Sequence, residues 1–213
     1  MDAKMLFSGL TNEELAQAHR FFHAEIVHYE KGDFIQRQGE PMRFFGMVIS
    51  GCVQVFMDDI DGNQMMMANV QEGEFFGESL CYLATKETPV YIRAAEDVEM
   101  MKLRTEGLYQ KFPENEALAQ LLRERFTAML ARRALAMNDR IQILSKSSLR
   151  GKLITFFSQC EIKYGSKSFR IPFDRAGLAV YLGTNRSALS RELSTMQKDG
   201  IIEFSHDQFH ILK

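Results

Sequence analysis

DRAGLAVYLGTNRSALSRELSTMQKDGIIEF, residues 174–204, places two short amphipathic helices on either side of a tight turn. Leu178, Leu182, Leu189, Leu193 and Met196 fall at helical spacing around Gly183-Thr184-Asn185, so the two helices bury their apolar faces together. Gly183 tolerates the backbone angles that end the first helix, and Asn185 is placed to cap the second by accepting a first-turn N–H. Arg186, Ser187, Ser190 and Arg191 then recur on the opposite face, pointing outward. Guanidinium and hydroxyl groups on one exposed helix face suit the major groove of DNA, where they bond base edges and phosphates. Asp199-Gly200 stops the helix, and Ile201–Phe204 and Gln208–Ile211 read as two strands around Ser205-His206-Asp207. The whole stretch is thus expected to be a winged helix-turn-helix, the plainer alternative being a solvated helical hairpin.

Charge supports the DNA reading once it is located. The net charge of −2 conceals a split: Lys146–Lys213 carries 11 Lys+Arg against 6 Asp+Glu, or +5, while residues 1–145 carry 15 against 22, or −7. The basic surplus sits where phosphate neutralisation needs it.

Upstream the pattern differs. Thr11 and Glu14 fit a capping box opening a helix that runs to about Phe22. Glycines then punctuate short apolar runs at Phe34-Ile35, Phe44–Ile49, Val53–Met57, Gln64–Val70 and Val98–Leu103, with turns that include Ser50-Gly51 and Asp61-Gly62-Asn63. Such spacing predicts an antiparallel, jelly-roll-like β-roll, which either encloses a small-molecule cavity or is simply a packed all-β core. From Pro113 the period changes: Leu122, Met129, Ala136 and Ile143 repeat every seven residues, with Leu130, Met137 and Leu144 as a second row. One helix of ~30 residues and about 45 Å follows. That exceeds what covers a roll, so part of its stripe is expected to pair with a second copy, although Arg125, Arg132, Arg133 and Arg140 interrupt a simple seam. Ser145–Ser148 reads as a polar hinge, and Leu149 to Phe157 starts another helix. The expected architecture is therefore α+β, with a β-roll sensor over 1–112, a dimerisation helix and hinge over 113–145, and a DNA-binding domain over 146–213.

At 213 residues and 46% hydrophobic content the chain can build two cores. No apolar run approaches the ~20 residues of a membrane helix, and Met1-Asp2-Ala3-Lys4 leads into no signal-peptide core, so a cytoplasmic protein without a membrane partner is expected. Cys52, Cys81 and Cys160 form neither a disulfide framework nor a metal-ligand spacing and read as buried free thiols. His19 and His23 stand at i, i+4, yet no third ligand accompanies them and a solvated pair is the simpler reading. A cupin-like metal enzyme needs histidines on roll strands, and residues 29–205 contain none. No catalytic or metal site is expected, and no enzyme.

A glycine-punctuated roll, a long helix and a C-terminal winged helix-turn-helix, carried by IDGNQMMMANVQEGEFFGE and LAVYLGTNRSALSRELSTMQKDGII, resemble the CRP/FNR family of bacterial transcription regulators. The resemblance implies a homodimer on a palindromic operator, RNA polymerase as partner, and allosteric control by an effector. It implies base reading through Arg186 and Arg191, with Asn185, Ser187 and Ser190 beside them. Ser187 stands where the family often has glutamate, so base preference there should differ, since a hydroxyl does not impose a carboxylate's acceptor-only demand. The family's cyclic-nucleotide cassette is represented by Gly77-Glu78, but Thr88-Pro89 occupies the place of its phosphate-gripping Arg-Ser pair. Without that guanidinium no tight cAMP binding is expected. Arg93 aligns with a strand residue and reads as structural. The iron–sulfur branch needs N-terminal cysteines, and none precedes Cys52. What remains is a partly apolar effector of unknown identity, in a pocket drawn from Phe75, Gly77, Glu78, Ser79, Leu80, Cys81, Thr88 and Pro89 with Met137 and Asn138 of the long helix. The alternative is a constitutive DNA-binding protein with a degenerate roll.

Overall fold

The computed structural model describes residues 3–58, 64–171 and 173–212. The turn expected at Asp61-Gly62-Asn63, and Met1-Asp2, lie outside these residues. In chain order the elements are α1 (Ala3–Leu6), α2 (Asn12–Phe21), β1 (Glu25–Tyr29), β2 (Phe34–Gln36), β3 (Phe45–Ser50), β4 (Val53–Asp58), β5 (Gln64–Val70), β6 (Phe75–Phe76), α3 (Glu78–Tyr82), β7 (Tyr91–Ala94) and β8 (Val98–Leu103). There follow α4 (Glu106–Tyr109), α5 (Glu116–Leu144), α6 (Leu149–Tyr164), β9 (Ser168–Arg170), α7 (Arg175–Tyr181), α8 (Arg186–Lys198), β10 (Ile202–Ser205) and β11 (Gln208–Ile211). The chain divides into two compact units, Met1–Arg132 and Arg133–Lys213.

In the first unit two antiparallel four-stranded sheets run in the orders β1-β8-β3-β6 and β2-β7-β4-β5. The Ser50-Gly51 turn between β3 and β4 depends on glycine: its φ is +86°, and a Cβ there would lie 2.4 Å from the Asp97 carbonyl. Thr11 closes a capping box on α2, its Oγ1 accepting from Glu14 N at 3.2 Å while Glu14 Oε2 accepts from Thr11 N at 2.8 Å. The core is aromatic. Phe22 and Phe126 both pack on Phe45, at 5.8 and 5.5 Å between centroids, and Leu118, Leu122 and Met129 of α5 are buried in the same cluster.

The second unit has α6, α7, α8 and a three-stranded sheet in the order β10-β11-β9, around Leu178, Leu182, Leu189, Leu193, Met196 and Phe209. Ser148 caps α6, accepting from Gly151 N at 3.0 Å. The expected two-strand wing is a three-strand sheet, because Phe169 of β9 pairs with Phe209 of β11 and both side chains are buried. Likewise α6 continues seven residues past Phe157 to Tyr164, ending where Gly165 takes a left-handed conformation.

The seven-residue rows of α5 separate into two fates. Leu122 and Met129 are buried in the first unit and Ile143 in the second, whereas Ala136 in the same row is exposed. In the second row Leu130 is half-buried and Met137 and Leu144 are exposed. Ile141 joins them, so Leu130, Ala134, Met137, Ile141 and Leu144 make an alternating four-and-three spacing along one stripe. The cysteines also differ from expectation: Cys81 and Cys160 are buried, but Cys52 is only half-buried, with Gln71 Nε2 donating to its Sγ at 3.3 Å. The His19–His23 helical pairing does not form. His23 lies beyond the C-cap of α2 with φ +46°, and His19 packs edge-on against Phe7.

Candidate nucleic-acid interface and effector cassette

α8 owes its start to Asn185, whose side chain accepts from Ala188 N at 2.8 Å, and α7 owes its start to Asp174, which accepts from Gly177 N at 2.7 Å. Between them Gly183 takes φ +63° and closes the turn. Leu189, Leu193 and Met196 face the core with no measurable exposure, which forces Arg186, Ser187, Ser190 and Arg191 to the surface. All four, and Asn185, are exposed as expected.

Charge around α8 is arranged around this face. The helix carries one acid, Glu192, and Arg150 of α6 holds it, Nε to Oε1 at 2.6 Å, while its Nη1 reaches Asp199 at 2.8 Å. Hydrogen bonds first to Glu192 and then to Asp199 raise the already high pKa of Arg150. Negative charge near the helix is thereby paired internally, and among the described residues Arg186 and Arg191 take part in no ion pair.

Two further cations join this surface that sequence reasoning missed. A groove of about 970 Å³ is lined by Arg170, Arg175, Arg186 and His206 together with Tyr164 and Asp207. Arg175, the first residue of α7, lies over the rings of Phe204 and Phe209 at 4.8 and 5.3 Å. Burial pushes its pKa down, partly offset by Asp207. Arg170 pairs with Asp207, whose carboxyl is held below its usual range chiefly by that hydrogen bond. The place of Arg175 at the head of α7 was legible in the sequence; that of Arg170 was not, because β9 itself was not foreseen.

Within the roll, the cassette residues meet different surroundings. Phe75, Glu78, Cys81 and Thr88 are buried, Gly77 and Leu80 half-buried, and Ser79 and Pro89 exposed. Gly77 has φ +76°, and a Cβ on it would lie 2.2 Å from the terminal methyl of Met42, so Met42 fills the space beneath it. Thr88 serves its own loop: its hydroxyl accepts from Val90 N at 3.4 Å, and its backbone bonds Glu40 and Gly39. Arg93 is engaged elsewhere, its guanidinium 5.0 Å from the Phe34 ring centre and its Nε donating to the Gly32 carbonyl at 3.4 Å. Met137 and Asn138 belong to the second unit, where both are exposed.

Comparison with known proteins fits both parts. Residues 26–115 match the cyclic nucleotide-binding domain family and residues 151–213 the Crp-like helix-turn-helix domain family. The chain belongs to the CRP/FNR family of transcription regulators. Its relatives regulate transcription and are not enzymes. A cyclic AMP receptor protein of Thermus thermophilus is 27% identical over 205 residues, covering 95% of this chain and 89% of that one. The transcriptional activator anr of Pseudomonas aeruginosa is 25% identical over 188 residues, 86% of this chain and 75% of that one. Among solved structures, the c-di-GMP-responsive regulator CLP of Xanthomonas campestris shares the fold, with a TM-score of 0.59 at 18% identity, covering 95% of this chain and 100% of that one. As a CRP/FNR regulator the chain is a DNA-binding protein, and no helix among its described residues is long and apolar enough to cross a membrane.

Proposed function

We propose that this regulator acts in the cytoplasm as a homodimer that reads a palindromic operator through two copies of α8. The carrying observation is the division of α8 into a fully buried apolar face and an exposed face bearing Arg186, Ser187, Ser190 and Arg191. Arg186 and Arg191 bond base edges, Asn185, Ser187 and Ser190 bond bases or phosphates, and Arg170, Arg175 and His206 bond flanking phosphates. The exposed stripe of α5 supports pairing with a second copy, which sets two recognition helices ~34 Å apart for successive major grooves. Residues 1–112 serve as sensor, 113–145 as dimerisation helix and hinge, and 146–213 as reader. RNA polymerase is the partner through which binding changes transcription.

Control comes from a small effector other than cAMP, held by the cassette residues Phe75, Gly77, Glu78, Ser79, Leu80, Cys81, Thr88 and Pro89, with Met137 and Asn138 responding to it. Support for excluding a cyclic phosphate is chemical: Thr88 offers no positive charge, and the nearby Arg93 is committed to Phe34 and Gly32. Linkage then requires operator DNA to tighten effector binding by the same factor that effector tightens DNA.

The test is a mobility-shift titration on operators selected from random duplex. Arg186→Ala and Arg191→Ala are each expected to cost ~1–3 kcal/mol at the selected site and little on random duplex. Equal loss on both duplexes, or none, refutes the base-reading assignment. Calorimetric titration with cAMP giving micromolar affinity refutes the cassette reading.

A further inference from the structure

On the flank of the roll, sharing Cys81 with the cassette but neither Glu78 nor Thr88, a cavity of about 520 Å³ opens between the end of α3 with the loop after it, the segment before β3 and the start of α4. Its rim carries Arg43 and Arg104 against a single acid, Glu106. We propose that this cavity is a second small-molecule site, which takes a compact aromatic oxyanion, the ring against Tyr82 and Tyr109 and the charged group between Arg43 and Arg104. The proposal stands whether or not the cassette holds an effector of its own.

Three features fit that ligand. The excess of one positive charge at the rim favours an anion, and guanidinium groups match the planar or tetrahedral oxygens of a carboxylate or phosphate. Deeper in, the hydroxyl of Thr105, 7% exposed, faces the Cys81 thiol at 3.7 Å, a neutral polar floor able to donate to an oxygen. Burial above all pushes the Cys81 thiol up, so that floor carries no opposing charge at neutral pH. One wall is aromatic: Tyr82 and Tyr109 lie 5.4 Å apart between centroids, locked by the Tyr109 hydroxyl donating to the Tyr82 carbonyl at 2.8 Å.

The same walls are fastened to α5 within the first unit. Tyr82 packs on Phe126 of α5 at 5.6 Å. From one turn earlier, Arg123 donates to the carbonyls of Leu108 at 3.2 Å and Gln110 at 2.6 Å, the residues on either side of Tyr109. An occupant that shifts Tyr82 therefore moves a ring packed on α5, and one that shifts Tyr109 moves the residue between two carbonyls bonded to α5, so the cavity becomes a control point on the helix proposed to dimerise.

The test uses the full-length protein with methyl-labelled methionine, the Met42 signal being assigned from Met42→Leu. Benzoate, phenyl phosphate and neutral benzyl alcohol are titrated in turn. A saturable Met42 shift is expected with the anions, binding about tenfold tighter than the alcohol, with about tenfold loss in the double variant Arg43→Gln, Arg104→Gln. Glu106→Gln is expected to tighten anion binding by about threefold, a gain that misfolding does not produce. Response to benzoate alone assigns a carboxylate, and to phenyl phosphate alone a phosphate; either supports the site. No saturable shift up to about 10 mM, equal binding of the alcohol, or affinity unchanged in both charge variants overturns it.

Discussion

The exposed stripe of α5 gives the proposed dimer a calculable strength. Met137 and Ile141 are 66% and 61% exposed in the single chain. Fully burying a side chain of that size is worth about 2 kcal/mol, so the unburied portions hold roughly 2.5 kcal/mol per protomer. Two-fold symmetry uses each residue twice, which brings the sum to about 5 kcal/mol at the interface. Met137→Gln with Ile141→Gln removes most of it, and glutamine is as good a helix former as methionine and better than isoleucine, so the helix itself is spared. The dissociation constant should rise roughly a thousandfold or more, read by sedimentation equilibrium, with thermal unfolding of the isolated chain nearly unchanged. A wild-type chain that is monomeric at tens of micromolar, or a double variant that associates as strongly as wild type, refutes the pairing of this stripe.

Other consequences are smaller or more local. Leu193→Ala empties a fully buried position beneath α8 and should destabilise the second unit by ~2–5 kcal/mol in denaturant unfolding, whereas Ser190→Ala on the exposed face should leave it unchanged. Asn185→Ala, which deletes the cap of α8, should cost about 1 kcal/mol in the same measurement and weaken operator binding as the first turn frays. Gly77→Ala should cost about 1 kcal/mol from its positive φ both in wild type and in a Met42→Ala background, each compared with its own parent because emptying the buried Met42 position is itself destabilising; a cost that vanishes in the Met42→Ala background would assign it to the methyl contact instead. Burial raises the Cys160 thiol from 9.0 to about 11, so its neutral form is the one the fold favours. Its contribution is fully present below pH ~9 and is lost as pH rises through about 11. Cys160→Ala should therefore flatten stability across that window, and an unchanged alkaline profile counts against it.

Local rules read the DNA-binding element well because its determinants are close in sequence: a cap at Asn185, a glycine at 183, and leucines at helical spacing. The capping box of Thr11 and Glu14 was legible for the same reason. What escaped was non-local. β9 is only three residues long, too short for its polar–apolar–polar order to mark a strand, and its pairing with Phe209 is what makes it one. The heptad rows on α5 were visible, yet which row faces its own chain depends on Phe45 and Phe126 meeting across 81 residues of sequence, a matter of packing rather than period. The i, i+4 pairing of His19 and His23 failed because the helix stops at Phe21, and the cavity beside Cys81 left no sequence mark, since its walls come from three separated segments.

The placement of β11 has a consequence for biosynthesis. It is the middle strand of the β10-β11-β9 sheet, so β9, made before the helix-turn-helix, waits for a partner made after it. Phe209 and Ile211 of that strand also complete the apolar cluster under α7 and α8. On the ribosome, at about 5–20 residues per second, the reading helix is fully translated well before the strand that seats it. A chain that stops short of β11 thus carries Arg186 and Arg191 on the proposed reading helix without the strand that completes the core beneath it.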